Sequence, residues 1–489
     1  MWPDMSATAM ELPMLRVRAL RPVAVLVLAA ATVVTATPAS GSETRPDGHG
    51  PTIVVGRDGV QSRSVPFPAR AGGEALVRFT ASAPGIDWAR PGAESAVVEL
   101  LVDNRYAGDL VVPTADPTPR EVALGAVTPG WHRLTARFSA DKSAPAAQQV
   151  WLRDVRVEVV GAGVDPYTVL SHAPVVVGRV LPDLGSPLQN ATTDTPLLAW
   201  HEQLPAATPG DRILEYSVVW SNEDGGTNTP ALMARWGRTT DIEWIYRVEV
   251  DAAGRRVPGT DVFQAPAHQT LHFTGGYEGE HPVLQTCTAN NNMCDSVVVP
   301  PGGTMRFFLA ADQTRPADRA REELMDANPW TYPVMAKEMV REGKVEAPSD
   351  PATPAMGDQR SYLFLEVDKD TGAGSQPGTP PGVAVGVRLR GDPTLYRSDH
   401  AQLSWAIARD DPAATTVELP LGTTPADIAE VLAIRQPMDV TDNGAPVTVT
   451  SVNRAFFLGV NYLPAASFLA LRTNQVLTVE QPTATLWAA

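Results

Sequence analysis

The chain has 489 residues, 44% of them hydrophobic, and a formal net charge of −16 at pH 7. Because nucleic-acid phosphates attract basic surfaces, this charge argues against a nucleic-acid partner. The length exceeds what one hydrophobic core usually serves, so we expect at least two domains. The 45 prolines and 38 glycines disfavour long helices and favour short strands joined by turns.

The first 40 residues have the layout of a secretory signal peptide. Arg16, Arg18 and Arg21 precede an apolar run at residues 23–36, and small residues follow the run. This run is too short to span a bilayer, and no other stretch approaches ~20 consecutive apolar residues. We therefore expect a secreted protein without a membrane span.

Residues 51–160 are predicted to form a β-sandwich accessory domain. At residues 98–112, two apolar segments flank Asp103 and Asn104, whose side chains favour a tight turn, so a hairpin is predicted. Residues 130–138 and 151–159 alternate apolar and polar side chains. This alternation is typical of strands with one buried face and one solvated face.

Two motifs in this part carry a resemblance: the Val-Asp-Asn-Arg-Tyr-Ala-Gly hairpin at residues 102–108 and the edge at residues 124–134. They resemble small jelly-roll or fibronectin-like sandwich modules that are appended to secreted proteins acting on or binding glycans. The resemblance implies a glycan partner. Trp88, Trp131 and Trp151 are candidates for stacking on sugar, although a tryptophan in an alternating strand belongs more often to the core.

A break in the strand pattern after residue 160 leads into a larger domain, residues 165–489, which carries the candidate site. The strands predicted around this site are residues 213–220, 231–236 and 241–251. Helices are predicted only at residues 316–328, 333–343 and 425–434. The predicted fold class is mainly β: an N-terminal β-sandwich followed by a larger β-rich, sandwich or jelly-roll like domain with a short helical excursion.

The two cysteines, Cys287 and Cys294, enclose Thr-Ala-Asn-Asn-Asn-Met. An isolated close pair in an exported protein is predicted to form a disulfide that closes a small loop. A metal-thiolate pair is the alternative, but it needs further ligands, and zinc ribbons use tighter Cys spacing in two copies.

Residues 213–295 combine carboxylates, carboxamides, tryptophans and both cysteines, which predicts a functional site. Asp241 and Glu243 are two residues apart on a predicted strand, so they point to the same side, ~6.5 Å apart. With Glu223 and Asp224 they are the candidate catalytic residues, because glycoside hydrolysis needs one protonated and one ionised carboxyl. The alternative is the solvated face of an antiparallel strand.

The oxygen-rich turn at residues 221–229 is a candidate Ca²⁺ site, since Ca²⁺ takes about 6–8 oxygen ligands in loose geometry. The candidate ligands are Asn222, Glu223, Asp224 and Asn228. A hairpin turn that uses Asp-Gly for backbone reasons is the alternative.

The candidate substrate-binding residues are Trp236, Trp244, Arg238, His268 and His281. Tryptophan offers an apolar face to a sugar ring, and histidine can position a substrate or act as a base. Surface or structural histidines are the alternative.

Together these features predict a secreted glycan-active protein, a hydrolase that uses a carboxylate pair as glycoside hydrolases do. One alternative is a non-catalytic carbohydrate-binding or cell-surface interaction protein, and a third is a metal-dependent hydrolase or lyase. The expected partner is an extracellular glycan or another neutral polymer. No phosphate-binding glycine loop occurs in the sequence, so no nucleotide cofactor is implied.

Overall fold

The structure is a computed structural model that describes residues 50–181, 186, 188–223 and 228–489. Strands dominate it and form several antiparallel sheets, so the prediction of a mainly β fold is confirmed. The predicted signal peptide lies outside the described residues. In the part of the chain that is described, no helix has both the length and the apolarity needed to cross a membrane.

The N-terminal region is a β-sandwich of two four-stranded sheets. Its strands are β1 (Ile53–Gly56), β2 (Ser62–Ala69), β3 (Gly73–Ser82), β4 (Ala96–Val102), β5 (Arg105–Val112), β6 (Thr118–Val127), β7 (Gly130–Phe138) and β8 (Gln149–Gly161). The sheet orders are β1-β8-β3-β6 and β2-β7-β4-β5, and apolar side chains pack between them. The predicted hairpin is confirmed as β4 and β5, with Asp103 and Asn104 in the left-handed region at its turn.

The central region carries two sheets and, among the residues described, the α-helices of the chain. Its elements are α1 (Asp165–Ser171), β9 (Val175–Val177), β10 (Pro196–Pro205), β11 (Arg212–Trp220), α2 (Thr229–Trp236), β12 (Asp241–Val250), β13 (Val262–Ala265), β14 (Gln269–His272), β15 (Tyr277–Glu278), β16 (His281–Thr286), β17 (Met293–Cys294), β18 (Arg306–Phe307), α3 (Glu323–Ala327) and α4 (Thr331–Arg341). Strands β10 to β14 form one antiparallel sheet in chain order. The other sheet has the order β15-β16-β9-β18, with β17 paired to β16.

The C-terminal region is a second β-sandwich. Its strands are β19 (Tyr362–Thr371), β20 (Gly382–Leu389), β21 (Leu395–Arg397), β22 (Ala413–Glu418), β23 (Ile428–Gln436), β24 (Val447–Phe457), β25 (Leu471–Leu477) and β26 (Thr483–Ala488). The sheet orders are β22-β19-β24-β25 and β21-β20-β23-β26, around a separate apolar core. Residues 50–489 form one compact unit by their contacts, so the domain boundary near residue 160 stays a prediction.

The prediction of a strand at residues 231–236 is wrong, because this segment is helix α2. The Asn228 side chain accepts a hydrogen bond from the Ala231 backbone N–H at 3.3 Å, which caps the helix, and Gly237 ends it with a positive φ of 64°. Nearly all side chains of α2 are buried. A short apolar run that is buried on every side carries no periodicity that separates helix from strand.

The helix predicted at residues 425–434 is also wrong. Only Pro425–Asp427 form a 3-10 turn, and Ile428 begins strand β23. This strand lies between β20 and β26, so sheet pairing overrides the helix start signal of Pro425 and Asp427. The excursion predicted at residues 316–343 is present as the short helices α3 and α4.

Helix α2 docks against β22 through two side-chain hydrogen bonds. Thr415 Oγ1 donates to the Ala234 carbonyl at 2.6 Å, and Thr416 Oγ1 donates to the Met233 carbonyl at 2.9 Å. A Cβ at Gly237 would lie only 2.9 Å from the Thr415 backbone nitrogen. This contact leaves no room for a side chain where α2 meets the C-terminal sandwich.

Replacing Gly237 with alanine should therefore lower the free energy of unfolding by about 2–3 kcal/mol. Two effects add: alanine is strained in the left-handed conformation, and its Cβ would clash with the backbone of Thr415. The matched control is Gly391→Ala, which has a φ of 75° and open space around its Cβ, so strain alone should cost about 1 kcal/mol. Urea titration measures both values. Equal losses in the two variants would show that α2 does not pack tightly on β22.

Candidate functional site

Three segments meet at one end of the central sheet. Strand β12 begins there at Asp241, the 3-10 turn Pro266–His268 follows β13, and a loop between β16 and β17 is closed by Cys287 and Cys294. The predicted disulfide is confirmed, with a Cα–Cα distance of 5.8 Å. The loop presents three consecutive asparagines to the other two segments.

We refer to the side chains of Asp241, Glu243, Gln264, His268 and Asn290 to Asn292 as the polar cluster. Its buried centre is Asn291, whose side-chain amide lies 3.0 Å from Asp241 Oδ2, 3.3 Å from Asp194 Oδ1 and 3.2 Å from the Asn222 carbonyl oxygen. One amide group therefore bridges three separate segments of the chain.

The outer part of the polar cluster surrounds Glu243. Gln264 Nε2 donates to Glu243 Oε2 at 2.9 Å, and the side-chain amide of Asn292 lies 3.4 Å from Gln264 Oε1. The Asn290 amide donates to His268 Nε2 at 3.1 Å, and His268 Nδ1 lies 3.8 Å from Glu243 Oε1. Carboxylate, carboxamide and imidazole groups thus form a continuous chain.

Burial divides the polar cluster into an inner and an outer part. Asp241 is only 2% exposed, whereas the side chain of His268 is 46% exposed and that of Glu243 is 16% exposed. Burial raises the pKa of the Asp241 carboxyl well above its usual range, and the negative charges of Glu243 and Glu223 raise it further. Both effects favour the protonated form of Asp241 in the interior, and its neighbours form the accessible surface.

Backbone strain coincides with the polar cluster. Ala267, His268 and Asn291 have φ values of 58°, 57° and 49°. Residues other than glycine seldom adopt this left-handed region, and such strain persists only where the surrounding structure enforces it. The strained backbone directs His268 and Asn291 towards the carboxyl groups.

The structure tests part of the carboxylate prediction. Asp241 and Glu243 both lie on β12, as predicted, but the solvated strand face given as the alternative is wrong for Asp241, which is buried. The disulfide loop covers this end of the strand and supplies the Asn291 amide. Their catalytic role stays a prediction.

The candidate calcium ligands are spread over different environments. Asn222 is buried and its amide lies 3.3 Å from Glu342 Oε1, Asn228 caps α2, and the Glu223 backbone N–H donates to the Thr239 carbonyl. Asp224 lies outside the described residues. Among the residues that are described, no three His, Cys, Asp or Glu side chains are grouped so as to hold a metal ion. Calcium binding stays a prediction.

Of the five candidate substrate-binding residues, only His268 belongs to the polar cluster. Arg238 is buried in an ion pair with Glu322, at 2.8 Å between Nε and Oε1. His281 is also buried, with Nδ1 2.9 Å from the Ala173 carbonyl oxygen and Nε2 3.3 Å from Glu74 Oε2. These contacts give Arg238 and His281 structural roles.

The two candidate tryptophans both have cationic neighbours. Trp244 is 9% exposed, and the Arg247 guanidinium lies 4.0 Å from its ring centre. Trp236 is half-buried, with the Arg409 guanidinium 4.1 Å from its ring centre. A cation–π contact of this kind covers one face of each ring, and the substrate-binding role of the two tryptophans stays a prediction.

Sequence reasoning did not assign Gln264, the asparagine triplet or the buried ion pair of Arg179 with Asp194. The asparagine triplet could have been assigned from the sequence, since three carboxamides in a disulfide-closed loop are held in fixed positions. Gln264, Arg179 and Asp194 had none, because their partners are distant in sequence and a single chain does not reveal such contacts.

Removing the disulfide by Cys287→Ser with Cys294→Ser should lower the free energy of unfolding by roughly 2–3 kcal/mol, because the short loop gains freedom in the unfolded chain. Urea titration with and without reductant measures this. Reductant should bring the wild-type value down to that of the variant and leave the variant unchanged. A wild-type value that is unaffected after verified thiol release would contradict the expectation.

Asp241→Asn should flatten the pH dependence of stability. A raised folded pKa means that the folded state binds more protons than the unfolded state, so the free energy of unfolding falls as pH rises from about 4 towards the raised value. The variant lacks this titration and should be at least as stable as wild type at pH 7. Chemical denaturation at pH 4 and pH 7 checks it; a variant less stable only at pH 7 would mean that Asp241 is ionised.

No protein-family model matches the chain, and no curated protein matches it. Among solved structures, it is similar to a family 36 carbohydrate-binding module in complex with calcium and xylotriose, at 11% identity and a TM-score of 0.17, covering 22% of this chain and 78% of that one. It is also similar to the C-terminal domain of EclA, a sugar-binding protein, at 14% identity and a TM-score of 0.17, covering 25% of this chain and 89% of that one.

Tandem family 51 carbohydrate-binding modules of a family 98 glycoside hydrolase from Streptococcus pneumoniae are similar over more of the chain. The match has 10% identity and a TM-score of 0.16, covering 81% of this chain and 82% of that one. These neighbours are β-rich, as this chain is.

Proposed function

We propose that the protein is a secreted glycan-interacting protein and that the polar cluster binds a sugar. The observation that carries the proposal is the accessible side of the polar cluster, where the His268 side chain is exposed and Glu243 and Asn290 are partly exposed, while Gln264 and Asn292 are buried behind them.

The donor and acceptor chemistry of this surface suits sugar hydroxyls. A hydroxyl both donates and accepts, so neighbouring hydroxyls are recognised best by a mixture of acceptors and donors. Glu243 supplies carboxylate acceptors, and Asn290 and His268, which are hydrogen-bonded to each other, supply an amide carbonyl and an imidazole edge. Hydrogen bonds to an ionised carboxylate are stronger than bonds between neutral groups.

The polar cluster is also held in place before a ligand arrives. The disulfide fixes the asparagine loop, and buried amides fix Glu243, so binding orders few additional side chains. The left-handed residues Ala267, His268 and Asn291 fit this interpretation, because backbone strain concentrates at binding and catalytic sites.

Hydrolysis is a second candidate function, favoured by the raised pKa of Asp241 beside Glu243. A protonated and an ionised carboxyl in proximity divide the roles of acid and nucleophile or base. However, Asp241 is 2% exposed and bonded to Asn291, so it does not reach a glycosidic oxygen without an opening movement. The geometry therefore favours binding over turnover.

Two measurements test the proposal: retention on gels containing neutral polysaccharides, and an assay for released reducing ends. Glu243→Gln removes the charged acceptor, and Asn290→Ala removes the carboxamide. Each change should weaken binding about tenfold or more, because a hydrogen bond of this kind is worth about 1–3 kcal/mol. The matched control is His272→Ala, an exposed histidine of β14 outside the polar cluster, and it should bind as wild type does.

Each outcome of this test has a distinct meaning. Retention without released ends supports binding alone. Release of reducing ends by the wild type that is lost in a folded Asp241→Asn variant supports hydrolysis. No retention on any polysaccharide, or retention equal in all three variants, contradicts a sugar site at the polar cluster.

A further inference from the structure

The N-terminal sandwich exposes an indole ring on the outer face of its second sheet. Trp131 lies on β7 and is 76% exposed, whereas Trp88, Trp200 and Trp220 are completely buried. An exposed indole does not gain the favourable free energy that burial of its apolar surface in the core would provide. The exposed position therefore requires a physical explanation.

Trp131 lies in a row of side chains that share its face. The antiparallel register places Pro68 opposite Trp131 and Pro66 opposite Arg133. Alternate residues of a strand point to the same side, so the two prolines of β2 and the two residues of β7 form one surface, which Arg70 extends. Both prolines lie on the edge strand of the sheet, where the missing N–H is tolerated.

A depression of about 250 Å³ adjoins this surface. It is lined by Pro68, Arg70, Ala71, Val159 and Gly161. Pro68 thus belongs both to the depression and to the row beside Trp131. The indole and the proline ring provide flat, rigid, apolar walls next to a concave space.

Two cationic side chains belong to this surface: Arg133 lies two residues after Trp131 on β7, and Arg70 lines the depression together with Pro68. Arg70 and Arg133 are exposed, and within the described part of the chain neither one makes an ion pair. By contrast, Arg137 of the same strand lies 2.5 Å from Glu99. Although the whole chain has a net charge of −16, residues 50–161 contain as many Lys and Arg as Asp and Glu. The local charge therefore does not repel an anion.

His132 holds the strand of Trp131 from the other side. Its Nδ1 lies 2.6 Å from Asp103 Oδ2 and its Nε2 lies 2.7 Å from the Thr128 carbonyl oxygen, while its ring packs on Phe67 at 5.5 Å. Both neighbours are acceptors, and the hydrogen bond to Asp103 raises the pKa of His132. A rigid strand keeps the indole in place.

We propose that Trp131, Arg70 and Arg133 form a second binding site, separate from the polar cluster, for a saccharide that carries carboxylate groups. The apolar face of a sugar ring stacks on the indole, and the guanidinium groups bind the carboxylates, in bidentate fashion where geometry permits. The indole alone would accept any sugar, and the arginines alone would accept any anion. Their combination on one face selects an acidic sugar.

The test is isothermal titration of the full protein with trigalacturonate and with its methyl ester, which keeps the rings and removes the charge. Trigalacturonate should bind at least tenfold more tightly than the ester, and its affinity should fall as salt rises. Trp131→Ala should weaken binding at least tenfold. Arg70→Gln combined with Arg133→Gln should reduce trigalacturonate affinity to that of the ester.

Two control variants show whether trigalacturonate binds at Trp131 or elsewhere on the protein. Arg63→Gln alters an exposed arginine of β2. Its odd-numbered position puts it on the opposite face of the strand from Pro66 and Pro68, so the change should leave binding unchanged. Asn290→Ala should also leave it unchanged, so failure of the polar cluster and failure of this site are distinguishable. Trp131 is exposed, so its replacement leaves the fold intact, which circular dichroism checks.

Three results would overturn the proposal. The first is absence of binding to trigalacturonate, and the second is equal affinity for trigalacturonate and its ester. The third is cosedimentation with phosphatidylserine vesicles that depends on Trp131 without any saccharide binding, since this would identify the surface as a lipid contact.

Discussion

The side-chain amide of Asn291 is the contact on which the site depends. It faces two buried carboxyl groups, Asp194 and Asp241, and a backbone carbonyl of Asn222. A buried ionised carboxylate without compensation costs several kcal/mol, and one pKa unit corresponds to about 1.4 kcal/mol. The two carboxyls meet this cost differently: Arg179 pairs with Asp194, whereas burial raises the pKa of Asp241 and so favours its protonated form.

This arrangement explains why the loop needs both a disulfide and an asparagine with positive φ. A flexible loop would lose entropy each time the amide formed its contacts, whereas the Cys287–Cys294 link removes most of that freedom in advance. Asparagine tolerates the left-handed conformation better than most residues. The disulfide loop therefore covers Asp241, and it also carries the half-buried Asn290.

The sequence was sufficient for features that depend on neighbours in the chain. Strand alternation identified the sandwich, the Asp103-Asn104 turn identified the hairpin, and cysteine spacing identified the disulfide. Helix α2 was missed although Asn228 and Gly237 are recognisable caps, because its apolar run also fits a buried strand. The missing parts of the site are contacts between distant segments. Asn291 lies 50 residues from Asp241 and 97 from Asp194 along the chain, so no local pattern links them.

Glu338 of α4 connects the site to the N-terminal sandwich. Its carboxylate accepts from Trp88 Nε1 at 2.9 Å and from the Asp194 backbone N–H at 3.1 Å, and Arg341 lies 2.9 Å from it. Glu338 is completely buried, so removing either partner would leave a charge or a donor unsatisfied in the interior. The buried Glu338 carboxylate therefore ties the Asp194 segment, which the Asn291 amide also contacts, to Trp88 of the N-terminal region through charge-assisted hydrogen bonds.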